Sequence, residues 1–488
     1  MRTKRILTLL LAALTAAAVF VSCGEGSPDT PKTEGSAAPD AGVTEAASTA
    51  TETQELPNLP ENLDFEGYDF RVVARGTGKW VCQDMYAAEM TGEVLNDAVL
   101  ERNRYVEDAL HFSISQKLID NDSSLYSTIS KAILSGEDAY DLLWVNSTNI
   151  AKLSMEGLLV DLAAVENLDL SHSWWDSRAV QNLCVNGCVY FTTGNISVMG
   201  NYATYVISFN KTLHAEYGLD DLYGIVRDGA WNYDCFETMA KSISADLDGN
   251  GTYDEHDLYG FMTYGSDYNG FLLSTGGSFA KVDGGSITTN YNNETVITVL
   301  EKLAALHEDR SCYYFTSDDV ANEIFVSGRT LFCFRTLINL NFYRDMETDY
   351  GILPTPKADE RQENYNCGVH AYGLSLIGMP VTSPEPSRTG AILEMLAWKS
   401  KELVTPAFYD KTLKGKYFRD EESAEMLDIV FESRLYDLGY FGDWGKLPSK
   451  LTSQSAANKG DFASLFASYE SAVANSLNDT VAAYSALR

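Results

Sequence analysis

Short apolar runs alternate with amphipathic stretches over most of this chain. FRVVAR (Phe70 to Arg75) reads as a buried strand ending in a Gly-Thr-Gly turn. TGEVLNDAVLERNRYVEDAL follows, and a helical period puts Leu95, Val99, Val106 and Leu110 on one face with charges opposite. HFSIS (His111 to Ser115) alternates as a strand does, and YDLLWVNS (Tyr140 to Ser147) is an apolar strand that breaks into polar residues. A second series begins with the strand YATYVISFNK (Tyr202 to Lys211), the helix DCFETMAKSI and the strand LYGFMTYG. A helix near Ile297 to His307, the strand GRTLFCFRTL (Gly328 to Leu337) and the Pro-punctuated DYGILPTPK continue it. After VHAYGLSLIGMP (Val369 to Pro380) the chain is mostly helical, and no internal repeat is visible. Strands separated by helices predict an α/β body with a largely parallel sheet. Ligands of such sheets gather beyond the carboxyl ends of strands, here Gly76 to Trp80 and Asn146 to Ser147.

The amino end changes the picture. Arg2, Lys4 and Arg5 precede the apolar run Ile6 to Val21, which is short for a membrane span and has the layout of a secretory signal. Ser22-Cys23 resembles a bacterial lipoprotein signal over residues 1–22, with Cys23 as the lipidated first residue and Phe20 in place of the usual leucine. Residues 23–60 are rich in Ser, Thr, Ala, Pro and acid, which predicts a flexible tether between lipid and folded body. No later run is long and apolar enough to span a bilayer.

Roughly 430 residues then remain, enough for two or three domains' worth of core. Lys and Arg number 36 against 69 Asp and Glu, a formal charge of −33, which excludes nucleic acid as a partner. Cysteines beyond Cys23 are Cys82, Cys184, Cys188, Cys235, Cys312, Cys333 and Cys367, an odd set among apolar neighbours, so neither a disulfide framework nor zinc is expected. Asn186-Gly187 signals a two-residue hairpin turn that sets Cys184 opposite Val189.

DLDGNGTYDEHD places Asp246, Asp248, Asn250, Asp254 and Asp257 at positions 1, 3, 5, 9 and 12 of a calcium loop, with Gly251 at the sharp turn. The carbonyl of Thr252 would complete the ligand set. A docking module needs two such loops and a sensor needs paired hands, so the reading is a structural calcium ion, with a solvated acidic turn as its rival. No cofactor is expected for function. Catalytic signatures are missing: there is no G-x-S-x-G, H-E-x-x-H or phosphate loop. Paired carboxylates of a glycoside hydrolase are a spatial feature and stay open.

TGEVLNDAVLERN, YDLLWVNS with GLLVDL and SHSWWDS, NGCVYFTTGN leading to VISFNK, YGLDDLYGIVRDGAWNYDCF, DLDGNGTYDEHDLYGF, FVSGRTLFCFRTL and DYGILPTPKADERQENYNCGVH occur in an order that resembles another group. They resemble the extracellular solute-binding lipoproteins of bacterial ABC importers for sugars and oligosaccharides, from Tyr68 to about Phe466. The resemblance implies a two-lobed, periplasmic-binding-protein-like (type II) body over 61–488. Lobe 1 would hold 66–197 and 373–440, and lobe 2 would hold 203–365 and 446–488, with crossing segments near Phe191 to Gly200 and Asn366 to Tyr372. It implies capture of a soluble saccharide by lobe closure, delivery to permease subunits, and anchorage on the outer face of the membrane; a peptide solute is the alternative. Pyranose faces need flat rings with polar groups at the edge. Trp80, Trp144, Asn146, Arg335, Tyr372 and Trp444 are the candidates for the cleft, with core packing or a surface ion pair as the rival role. Trp398 sits in a helical apolar stripe and is assigned to the core, and Trp174 and Trp175 to packing at a lobe edge.

Overall fold

The computed structural model describes residues 55–486 except 77, 316, 345, 410–419 and 456–459. The signal segment, Cys23 and nearly all of the tether lie outside the described residues; the compact unit begins at Glu55, slightly before the expected 61. Glu55 already meets the folded body, accepting a hydrogen bond from the Ser173 hydroxyl.

The first sheet is built on β1 (Tyr68–Arg75), β2 (Phe112–Ile119) and β3 (Leu142–Asn146), all parallel, with Tyr68 opposite Phe112 and Ala74 opposite Trp144. The second sheet takes β4 (Tyr205–Asn210), β5 (Ser244–Ala245) and β6 (Leu258–Thr263). After the hairpin β7 (Lys281–Asp283) and β8 (Ser286–Thr288) it adds β9 (Cys312–Tyr314), β10 (Thr330–Thr336) and β11 (Tyr350–Leu353). The order is β11-β4-β10-β6-β5, with β9 on β6. The chain then forms β12 (Cys367–Gly368) and β13 (Ser375–Gly378), which returns to the first sheet antiparallel to β3 with Ile377 opposite Trp144. A last short strand, β14 (Arg434–Leu435), pairs with β12.

Parallel pairing thus holds for the core of the first sheet, whereas the second is mixed. β6, β9 and β10 run parallel, but β4 and β11 run antiparallel to their neighbours because the chain enters and leaves this sheet through the crossing segments. Every residue of β3, β4 and β6 is buried, as expected for strands covered on both faces. Asparagine closes two strand-to-helix junctions. Asn146 at the end of β3 accepts from the N–H of Asn149, and Asn210 at the end of β4 accepts from those of Thr212 and Leu213. Each cap satisfies backbone donors that the first helical turn leaves free.

The segments near 191–203 and 366–377 meet through backbone hydrogen bonds. Thr192 exchanges two backbone hydrogen bonds with Ile377, and His370 donates its N–H to the carbonyl of Ala203. Two lobe boundaries differ from expectation. The helix Glu421–Glu432, inside the 373–440 stretch assigned to lobe 1, packs on the second lobe: Arg227 pairs with Glu422 and Glu425, and the Tyr223 and Ser423 hydroxyls lie 2.8 Å apart. The helix Phe462–Ala486 does not belong to lobe 2 alone. Phe462 and Phe466 meet Tyr268 and Tyr291, while Tyr484 reaches Ser154 and Tyr190 of the first lobe. A helix of that length extends ~38 Å, enough to touch both lobes.

Candidate functional site

The carboxyl ends of parallel strands from both sheets face one cavity of about 240 Å³. Arg75 closes β1 and Trp80 follows it; Tyr264 and Asp267 follow β6; Arg335 lies at the end of β10. The crossing segments supply Met199, Tyr202, His370 and Tyr372. A second cavity of about 300 Å³ shares Tyr264, Ser266, His370 and Tyr372 with the first and adds Thr148, Asp443, Ser449 and Thr452. Tyr264 and Tyr372, 36% and 56% exposed, are the large rings at the join between the chambers. Together the chambers reach the size of small-molecule sites, about 300–1,000 Å³.

Polar atoms are placed around these rings by buried partners. Asp267 accepts from the Thr263 hydroxyl at 3.1 Å and the Tyr264 N–H at 2.7 Å through one oxygen, Oδ2; among the described residues Oδ1 has no hydrogen-bond partner. Burial pushes this carboxyl up to about 7, with the Arg335 charge opposing. Arg335 is held by Asn339 at 3.1 and 3.2 Å and by an ion pair with Asp318 through Nε and Nη2; Nη1 has no partner among the described residues. Its guanidinium lies 4.9 Å from the Phe315 ring and 5.9 Å from that of Trp80. His370 accepts the Gly373 N–H on Nδ1 at 3.0 Å, and burial lowers its pKa to about 4. The ring is therefore neutral at pH 7 with its proton on Nε2, a hydrogen-bond donor. Arg75 donates to the Tyr372 carbonyl at 2.8 Å and pairs with Asp122, which ties the exposed tyrosine's backbone to β1. Across the cleft mouth Trp80 packs on Phe342 at 5.0 Å and Lys79 pairs with Asp319.

Of the residues singled out in sequence, Trp80, Arg335 and Tyr372 come together here. Trp144 does not: it is fully buried in the middle of the first sheet, its indole N–H 3.3 Å from the Ser197 hydroxyl. Asn146 is buried as the helix cap described above. Trp444 is buried as well, in a turn that packs so closely on Val473 of the last helix that a Cβ at Gly445 would lie 2.6 Å from the Val473 N. Trp398 is only half-buried, its ring against Tyr105, while Trp174 and Trp175 lie in the core. Sequence reasoning missed Tyr264, Asp267 and His370. The first two were within reach of the strand-end rule, since both lie in the short stretch after the apolar run LYGFMT.

Elsewhere, Asp246, Asp248 and Asp257 bring carboxylate oxygens within 4.8 Å of one another. Asp254 is outside this group and accepts the His256 N–H, and Asn250 accepts that of Thr252. Asn186 and Gly187 form the expected turn, with Val185 bridged to Cys188. A wide groove of about 720 Å³ on the second lobe carries Asp220, Asp234, Asp359 and Glu360 but no aromatic ring. Among the described residues no helix is long and apolar enough to cross a membrane.

No protein-family model matches the sequence, and no curated protein matches it. Solved structures do match. The galacto-N-biose/lacto-N-biose I-binding protein of the ABC transporter from Bifidobacterium longum, in complex with lacto-N-biose, superposes with a TM-score of 0.58 at 14% identity, covering 86% of this chain and 98% of that one. An ABC substrate-binding protein from Listeria monocytogenes in complex with cycloalternan gives 0.53 at 14% identity over 85% and 98%. The maltose/maltodextrin-binding domain from Bdellovibrio bacteriovorus bound to maltotriose gives 0.52 at 14% identity over 86% and 97%. Sheet order, crossing segments and these superpositions agree: the chain has the two-lobed α/β fold of the sugar-binding proteins of ABC transporters.

Proposed function

We propose that this protein captures a saccharide of at least two linked rings between its lobes and delivers it to the permease of an ABC transporter. The observation that carries this reading is the convergence, in one interlobe cleft, of Trp80, Tyr264 and Tyr372 with Asp267 Oδ1, Arg335 Nη1 and His370 Nε2, which have no partner among the described residues. Flat apolar rings match the C–H faces of pyranoses, and an acceptor beside two donors matches their hydroxyls. Two adjoining chambers give room for more than one ring. The ligands named for the structural neighbours support the saccharide class. Anchorage through Cys23 on the outer face of the membrane, with residues 24–54 as tether, belongs to the same proposal and rests on the sequence.

A calcium ion in the loop 246–257 is proposed as a structural element. The fit rests on the three clustered carboxylates, which repel one another and which a hard divalent cation would draw together.

The test is a calorimetric screen of mono-, di- and trisaccharides against the purified body, with oligopeptides as a second panel. Disaccharide binding is expected; binding of peptides alone would replace the saccharide reading. Asp267 and Asp318 both line the cleft, so the bound sugar is recovered and its length measured. Recovery of shortened sugar would identify a glycosidase instead.

A further inference from the structure

The short helix Met199–Tyr202 in the first crossing segment separates two cavities. Met199, Tyr202 and Ala203, three and four positions apart, line the saccharide cleft. Val198, Gly200 and Asn201 line a separate cavity of about 240 Å³. Its walls are dominated by hydroxyl, amide and charged side chains.

Charge is unevenly distributed there. Arg178 and Arg434 face a single carboxylate, Asp176. Both oxygens of Asp176 are already engaged. One caps the N–H groups of Arg178 and Ala179; the other accepts from the Tyr436 hydroxyl at 2.9 Å and pairs with Arg434 at 2.8 Å. Arg434 spends a second nitrogen on Asn201, but its buried Nε has no partner. Arg178 makes no ion pair among the described residues. Thr193, 2% exposed, also lines the cavity, and its hydroxyl is unpartnered. At the rim, Lys401 and Glu55 both contact Ser173 and offset each other. Behind Ser197, Asp84 is offset by Arg102. A surplus cation inside a cavity is thus embedded in a chain whose formal charge is −33.

We propose that this rear cavity binds a small oxoanion, held by Arg178 and Arg434. Guanidinium groups match the planar or tetrahedral oxygens of carboxylate, sulfate and phosphate. The site lies on the helix face turned away from the sugar cleft and is independent of which saccharide binds there.

The experiment is thermal unfolding of the full chain in inorganic phosphate, sulfate or acetate, each against chloride at equal ionic strength. Phosphate and sulfate also stabilise proteins by exclusion from their surface, so the comparison with variants decides the matter. The expected result is a midpoint that rises with the logarithm of anion concentration. The rise is lost in Arg178→Met, reduced in Arg434→Lys, which keeps charge but not the fork, and retained in Lys446→Met. Arg178→Met keeps the parent's saccharide affinity, which verifies its fold. Acetate equal to phosphate assigns the site to carboxylates, and phosphate above acetate to tetrahedral oxoanions. An undiminished rise in Arg178→Met, or a rise no larger than in chloride, overturns the proposal.

Discussion

Two tryptophans of this chain do different work: Trp80 lies in the loop after β1, and Trp144 at the centre of the neighbouring β3. Trp80 is half-buried at the cleft, whereas Trp144 has no exposed surface. Trp80→Ala and Tyr372→Ala are expected to weaken saccharide binding by about 1–3 kcal/mol through lost ring contact, read by calorimetry. Trp144→Ala is expected to cost about 3–5 kcal/mol of stability as a core cavity, read by urea unfolding. Asp267 makes a prediction in pH. Burial raises its carboxyl to about 7, so the folded chain keeps a proton that the unfolded chain has released. The resulting stabilisation is complete below about pH 4, the ordinary aspartate range, and is lost as pH rises through about 7. Asp267→Asn is neutral at every pH and should flatten the fall in stability across that window; a slope equal to the parent's would remove the assignment. For the acidic loop, a melt in calcium against EGTA should show stabilisation in the parent and none in Asp248→Ala, with saccharide affinity unchanged because the loop does not line the cleft. Absence of any calcium shift in the parent leaves an acidic turn.

At the scale of elements, close approach of helix to strand decides which residues are tolerated. A Cβ at Gly260 of β6 would lie 1.7 Å from the Ala240 carbonyl oxygen on the helix Tyr233–Lys241. Glycine lets that helix lie directly on the strand. Gly260→Ala must push the two apart, and an overpacking loss of at least about 1–3 kcal/mol is expected in denaturant unfolding. Because β6 ends at Thr263, one residue before Tyr264, the same displacement should weaken saccharide binding as well. Helix boundaries were legible wherever a strand ran into asparagine, as in LLWVN and YVISFN, since the cap is a local interaction. Packing partners of the helices after residue 380 were not. Nothing within Glu421–Glu432 itself announces that its partners are Tyr223 and Arg227, or that its cap Asp420 pairs with Lys211.

For the whole molecule, closure is the motion the two lobes and their crossing segments support. Trp80 with Phe342 and Lys79 with Asp319 already join the lobes at one edge of the cleft. Small-angle scattering of the body should show contraction on adding a bound disaccharide; an unchanged profile with a tightly bound sugar would count against a hinge. Local pattern alone determined the alternation of strand and helix, the burial of the central strands, the hairpin at Asn186-Gly187 and the acidic loop, because each depends on residues within a few positions. Tertiary structure decided which aromatics line the cleft. Trp80, Tyr264, Arg335 and Tyr372 meet only when two sheets and two crossing segments are assembled. Trp144 and Trp444 are excluded for the same reason: a side chain is exposed or buried according to the layer laid over it, and those layers come from distant parts of the chain.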